Sequence, residues 1–239
     1  AATWHAGFAV FVVLCSLCGW YASKAADEQK LSVPAKATGV THASRGEIVQ
    51  WLALSMLPSL LLSAVTTKLT VDITPVPFLW VVPLTLYLVS LIICFSKESW
   101  ANRKVWGVVT AFMLALCGYL IGGELGTVST GSLPLQFAIH LGTFFAVCMT
   151  CHGEMVRLKP QASGERSSSG GALTEFYLVT SAGGAIGGLF VAVIAPAVFS
   201  MFLEYPIGLV LAAIIPTLIW LGNSPLGWFH SRHITIWVG

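Results

Sequence analysis

"LTEFYLVTSAGGAIGGLFVAVIAP", residues 173–196, admits two incompatible readings, and the choice between them decides the fold. Ala182, Gly184 and Gly187 come within one residue of G-x-G-x-x-G, the dinucleotide-binding fingerprint, which needs a strand running into the glycines and a helix opening at them. Here "TEFYLVT" leads in and "LFVAVIA" leads out as one continuous apolar run. The segment therefore reads as a membrane helix. Gly183 with Gly187, and Gly184 with Gly188, form small-xxx-small pairs that let two such helices approach closely. This helix is expected to be a central packing helix.

The rest of the chain agrees with that choice. Of its 239 residues, 56% are hydrophobic and 9% charged, and the mean hydropathy is +0.83, whereas a soluble domain carries roughly 25% charged residues. Such a composition belongs to an integral membrane protein, whose first partner is the lipid bilayer. The net charge of +2 is too small to suggest nucleic acid. At roughly 20 apolar residues per crossing, seven spans are predicted, near residues 4–22, 48–67, 77–95, 105–123, 134–152, 173–199 and 205–222. The fold class is thus all-α: a polytopic bundle of about seven transmembrane helices over residues 1–222, with a cytoplasmic interfacial tail at 223–239. Trp228, Phe229 and Trp237 in that tail suit the headgroup region. Residues 23–47 are polar and should be irregular or interfacial, and Ser- and Gly-rich 159–171 should be flexible. The opening "AATWHAGFAV" has no basic segment before its apolar run, so it does not read as a signal peptide, and the chain is expected to be a fragment or processed product.

Orientation follows from the basic residues, which concentrate in cytoplasmic loops. Lys24, Lys30, Lys36, Arg45, Lys97, Arg103, Lys104, Arg157, Lys159, Arg166 and Arg232 fall on one side, and only Lys68 falls on the other. Losing one span would scramble this division. The amino terminus is therefore expected outside and the carboxyl terminus in the cytoplasm.

Three places could carry chemistry. Cys148, Cys151 and His152 spell C-x-x-C-H, the spacing of covalent haem attachment. They fall at the cytoplasmic end of the fifth span, the wrong face for that modification, so helix packing is the expected role and covalent haem is not expected. Cys15 and Cys18 repeat the spacing without a His and share a helix face, and these too read as packed thiols.

Second, in "LLLSAVTTKLTVDITPVPFLWVVPLTLYL", 60–88, apolar helix should give way at Thr66, Thr67, Lys68, Thr70 and Asp72 and restart at Pro75 and Pro77, capped by Thr74. Pro58 and Pro83 should each free a carbonyl and kink a span. Lys68 and Asp72, with Glu124 in a Gly-rich outer loop and Glu204 at the start of the last span, form a candidate polar site on the outer face. Third, Glu175 should lie in the first turn of span six, where the helix dipole favours a carboxylate. His140 should be a hydrogen-bonded interior residue. No catalytic set and no metal set is expected.

Four blocks in order, "PSLLLSAVTTKLTVDITPVPFLWVVPLTLYLVSLIICF", "CHGEMVRLKP", "LTEFYLVTSAGGAIGGLFVAVIAP" and "EYPIGLVLA", resemble the membrane portion of the bacterial fused MFS/spermidine synthase family over roughly residues 50–222. The resemblance implies an inner-membrane, MFS-like bundle with further helices before residue 1 and a cytoplasmic aminopropyltransferase-like domain after residue 222. It makes Cys151, His152, Gly153, Glu154, Glu175 and Tyr177 family-like positions. That synthase domain is not in the sequence, so the chain is expected to be a non-enzymatic scaffold or accessory subunit, packed with other membrane subunits or with missing parts of a longer chain. The competing expectations are a transporter-like domain for a polyamine or other small cation and, more remotely, a c-type haem protein.

Overall fold

In the computed structural model, residues 2–32, 43–72, 80–97, 100–125, 132–160, 170–199 and 203–223 are described. Among these residues the fold is all-helical: α1 (Ala2–Ser32), α2 (Arg45–Asp72), α3 (Val81–Ser96), α4 (Arg103–Leu125), α5 (Leu133–Arg157), α6 (Gly170–Leu189) and α7 (Glu204–Asn223). α6 runs on through a π turn (Phe190–Ile194) and a last α turn (Ala195–Val198). Among the described residues five segments are long and apolar enough to cross a membrane: Arg45–Val71, Arg103–Gly123, Leu133–Arg157, Gly171–Val198 and Glu204–Gly222. Two of the seven predicted spans fall short, as Ala9–Tyr21 and Val81–Ser96.

The chain divides into two units, Ala1–Val40 and Thr41–Gly239. In the first, α1 exposes Val10, Phe11, Val13, Leu14, Trp20 and Tyr21. Its helix continues through the polar segment to Ser32 instead of becoming irregular at residue 23, because Ala25, Ala26, Glu28, Gln29 and Lys30 are good helix formers. Cys15 and Cys18 are exposed on this helix, not packed.

In the second unit α2 packs along α6 and α5, and α5 also contacts α3 and α4. One apolar core joins Leu54, Leu57, Leu61 and Val65 of α2 to Phe144, Val147 and Cys151 of α5 and Leu209 of α7. α2 starts in a capping box: Ser44 N–H donates to Glu47 Oε2 at 2.8 Å and Glu47 N–H to Ser44 Oγ at 3.3 Å. Outward, large apolar side chains are bare: Val108, Phe112 and Tyr119 on α4, Leu178 and Val193 on α6, Val210 and Leu218 on α7. Ser90, Thr110, His140, Thr143, His152, Glu154 and Glu204 are buried.

Several expectations require correction. α2 does not break at Thr66; it runs to Asp72, and the hydroxyls of Thr66, Thr67 and Thr70 find acceptors within the helix, on the carbonyls of Leu62, Ser63 and Thr66 at 2.6, 3.0 and 2.7 Å. Pro83 lies in the first turn of α3, where amides have no intrahelical acceptor, so it interrupts nothing. Glu124 falls in the last turn of α4, not in a loop. Glu175 lies in the second turn of α6, which begins earlier than expected, at Gly170. Cys148–His152 sit inside α5, which continues to Arg157. The wide turn of α6 closes on an i to i−5 bond from Ala195 N–H to Phe190, just before Pro196, which has no amide to continue the regular ladder. The proposed Thr74–Pro75 cap and the tail at 224–239 lie outside the described residues.

Candidate functional site

α5 carries a buried polar cluster towards each end. Near its carboxyl end, four consecutive residues, Cys151, His152, Gly153 and Glu154, are all buried, because this part of α5 faces neighbouring elements on every side. Cys151 and Cys148 lie in the apolar core at 0% exposure. His152 places Nδ1 2.9 Å from Ser90 Oγ on α3, and its ring meets Tyr87 edge to face at 5.1 Å. Ser90 donates its one proton to the Tyr87 carbonyl at 2.7 Å. With the proton there, the serine oxygen accepts from His152, which sets the tautomer as Nδ1–H.

Gly153 faces the α3–α4 connection: a Cβ built on it would stand 3.1 Å from Ala101 Cβ. Glu154 Oε2 accepts from the Arg103 guanidinium at 2.6 Å, with side-chain exposures of 5% and 25%. The guanidinium carbon also lies 5.9 Å from the centre of the Trp220 ring on α7, and Arg157 donates to the Ala101 carbonyl at 2.8 Å. The one buried carboxylate here is neutralised by a directed charge-assisted bond.

The same end is tied together further. Trp51 Nε1 on α2 donates to the Leu158 carbonyl at 3.2 Å and its ring packs on Phe176 of α6 at 5.2 Å. Glu175 accepts from Ala43 N–H at 3.2 Å, and Lys159 Nζ lies over both Phe95 and Tyr177. The starts of α2, α4 and α6 thus meet the ends of α3 and α5, as alternating helix directions require. Arg103, Arg157 and Lys159 gather at this end.

Towards the amino end of α5, His140 Nδ1 lies 2.7 Å from Tyr205 Oη on α7 and 3.3 Å from Cys117 Sγ on α4. Cys117 Sγ and Tyr205 Oη are 3.4 Å apart. Between the two clusters Thr110 bonds to Thr150 at 2.7 Å and to the Ala146 carbonyl at 2.9 Å.

The four glycines of α6 separate into two kinds. A Cβ on Gly183 would strike Ser55 Oγ and come within 2.7 Å of the Leu52 carbonyl, and one on Gly187 would strike the Met56 carbonyl. On Gly184 it would meet nothing within 4 Å, and on Gly188 only Ser59 Oγ at 3.7 Å. Gly183 and Gly187 therefore set the approach to α2, and Ser59 crosses the same interface to the Gly184 carbonyl at 2.7 Å.

Of the outer polar set, two side chains are described. Lys68 is half-buried in α2 and Glu204 is buried at the start of α7, while the side chains of Asp72 and Glu124 lie outside those described. No three His, Cys, Asp or Glu side chains form a metal-binding group among the described residues. Ser90, Ala101, Arg103, Cys117 and Tyr205 were missed by sequence reasoning. Pattern within one helix cannot reveal them, since each acts across 23 to 65 positions of chain. Searches among protein families, curated proteins and solved structures find no match to the chain.

Proposed function

We propose that this chain is a polytopic membrane protein acting as a non-catalytic membrane module, a scaffold or accessory subunit of a larger assembly. The observation that carries the reading is the inverted distribution of side chains: Val108, Phe112, Leu178 and Leu218 are outside while Ser90, Thr143, His152 and Glu154 are inside. Lipid tolerates the first set, and the second must find partners away from lipid. The clustering of Arg103, Arg157 and Lys159 at one end supports a cytoplasmic location for that end, with the amino terminus outside and the carboxyl terminus in the cytoplasm of a bacterial inner membrane. The membrane portion of fused MFS/spermidine synthases remains the family it resembles, and seven spans are proposed, with α1 and α3 as the short ones.

Scaffolding is favoured over catalysis because the polar groups at the α5 carboxyl end are used on one another. His152 is held by Ser90 and Glu154 by Arg103. Cys148 and Cys151 serve core packing rather than haem attachment. The test is purification in mild detergent followed by mass determination of the native particle. Co-purification of stoichiometric partners is expected; a stable monomer would overturn the scaffold reading.

One observation favours a second reading. Glu204 is a carboxylate only 7% exposed at the start of α7, and buried carboxylates in membrane helices attract ammonium groups. Transport of a polyamine would appear as spermidine uptake into proteoliposomes that Glu204→Gln abolishes, and that result would replace the scaffold reading.

A further inference from the structure

Lys159 has a fixed seat at the carboxyl end of α5. It follows Leu158, whose carbonyl accepts from Trp51 Nε1, and its own amide donates to the Val156 carbonyl at 3.3 Å. Its Nζ lies 5.8 Å from the centre of the Phe95 ring on α3 and 5.5 Å from that of Tyr177 on α6, both within cation–π range. These two helices flank one patch of the core, since Leu91 of α3 and Val179 of α6 both pack on the cluster of Trp51, Met155 and Phe176. The described carboxylates of this end are engaged elsewhere: Glu154 with Arg103, Glu175 with Ala43 N–H and Glu47 with Ser44 N–H. From each ring an open stripe runs along its helix. Phe95 shares its face of α3 with Ile92 and Leu88, and all three are exposed. Tyr177 is exposed and shares its face of α6 with exposed Ser181 and with Gly184, where an added Cβ would meet nothing within 4 Å.

We propose that Lys159, with Phe95 and Tyr177, forms a binding site for the headgroup of an anionic glycerophospholipid, whose acyl chains lie along the exposed faces of α3 and α6. The inference rests on the membrane part of the reading above and is independent of the scaffold role. Ring faces attract an ammonium but offer no oxygen to its N–H donors, and a phosphodiester supplies those acceptors. Exposed Lys97, just beyond Phe95 in the chain, adds a second positive charge. A head of net negative charge is therefore preferred to one whose phosphate is balanced by its own ammonium, as at basic pockets between helices on the cytoplasmic side of other membrane proteins. Aromatic rings beside a snorkelling lysine mark the depth of the phosphates. Ile92 and Leu88 continue from Phe95 towards the bilayer centre, where the chains run, and the shallow Gly184 stripe leaves them room on α6.

The test uses the full chain in mild detergent, delipidated and offered equal amounts of phosphatidylglycerol and phosphatidylcholine, with retained lipid counted by native mass spectrometry. Phosphatidylglycerol should be retained in preference, and its affinity should fall about fivefold in Lys159→Gln, the worth of one basic residue at a membrane surface. Lys159→Arg should keep the preference. Phe95→Leu, which keeps apolar bulk and removes the ring, should weaken retention, whereas Lys104→Gln, which removes another exposed cation of the same end, should change it far less. Absence of a preference in the wild-type chain, equal losses in Lys104→Gln and Lys159→Gln, or displacement of the lipid by free glycerol phosphate would each overturn the proposal. A chain that stays monodisperse after detergent is removed would overturn the membrane reading itself, so the two failures are told apart.

Discussion

Glu154 illustrates how much one side chain contributes when its charge is out of water. Its carboxylate meets Arg103 at 2.6 Å while only 5% exposed, so removing it strands a guanidinium whose Nε already lacks a hydrogen-bond partner among the described residues. Glu154→Ala should destabilise the detergent-solubilised protein by about 2 kcal/mol, the range for charged hydrogen bonds and unsatisfied buried groups. Glu154→Gln, which keeps an acceptor, should cost less than half of that; equal losses in a denaturant titration would mean that the charge pair is irrelevant. The α6 glycines allow a sharper contrast. Gly187→Ala drives a methyl into the Met56 carbonyl and should cost about 1–3 kcal/mol, as overpacking does. Gly184→Ala has open space and should be neutral or stabilising by up to about 1 kcal/mol from helix propensity. If thermal unfolding places the two variants together, the α2–α6 contact is wrongly drawn.

At the scale of the element, the direction of a hydroxyl decides its worth. Thr66, Thr67 and Thr70 return their hydrogen bonds to their own helix, so Thr→Val at any of them should change stability by no more than about 0.5 kcal/mol. Ser59 sends its bond across to α6, and Ser59→Ala should lose roughly 0.6 kcal/mol, up to about 1.7, the measured span for interhelical bonds in membranes. Measuring both in one detergent separates local from interhelical hydroxyls. The expected break at Thr66–Asp72 does not form: a threonine cluster is compatible with a helix when each hydroxyl finds its acceptor on the carbonyl four residues back. Pro83 was misread because its effect depends on whether it falls in the first turn, and helix starts are set by neighbours as much as by local sequence.

For the whole molecule, burial sorts the thiols. Cys94, Cys117, Cys148 and Cys151 are buried and Cys15 and Cys18 exposed. In native micelles a membrane-permeant maleimide should modify no more than two thiols, and all six after denaturation, counted by intact mass. Early modification of the four buried thiols would mean that the core around α5 is loose. The proposed topology makes a separate demand: a cysteine introduced for Lys104 should be reached from the cytoplasmic side, and one introduced for Lys68 from outside. Labelling of both from one face would remove the alternating arrangement.

Composition and apolar run length alone pointed to helices and to where they lie, because burying a backbone away from water forces it to satisfy its own hydrogen bonds, and long apolar runs advertise that. Among the described residues, helices occur in each of the seven predicted segments, with ends displaced where a capping box at Ser44 or helix-forming residues before Ser32 extended them. Resemblance pointed to Cys151, His152, Gly153 and Glu154, but their partners Ser90, Ala101 and Arg103 became visible only once α5 was set against α3 and α4. The same holds for Cys117, His140 and Tyr205, each unremarkable in its own helix and within 3.4 Å of the others in space. Hydropathy is a property of segments and can be summed along a chain; a polar contact between helices depends on rotation and depth of both, and only tertiary packing decides those.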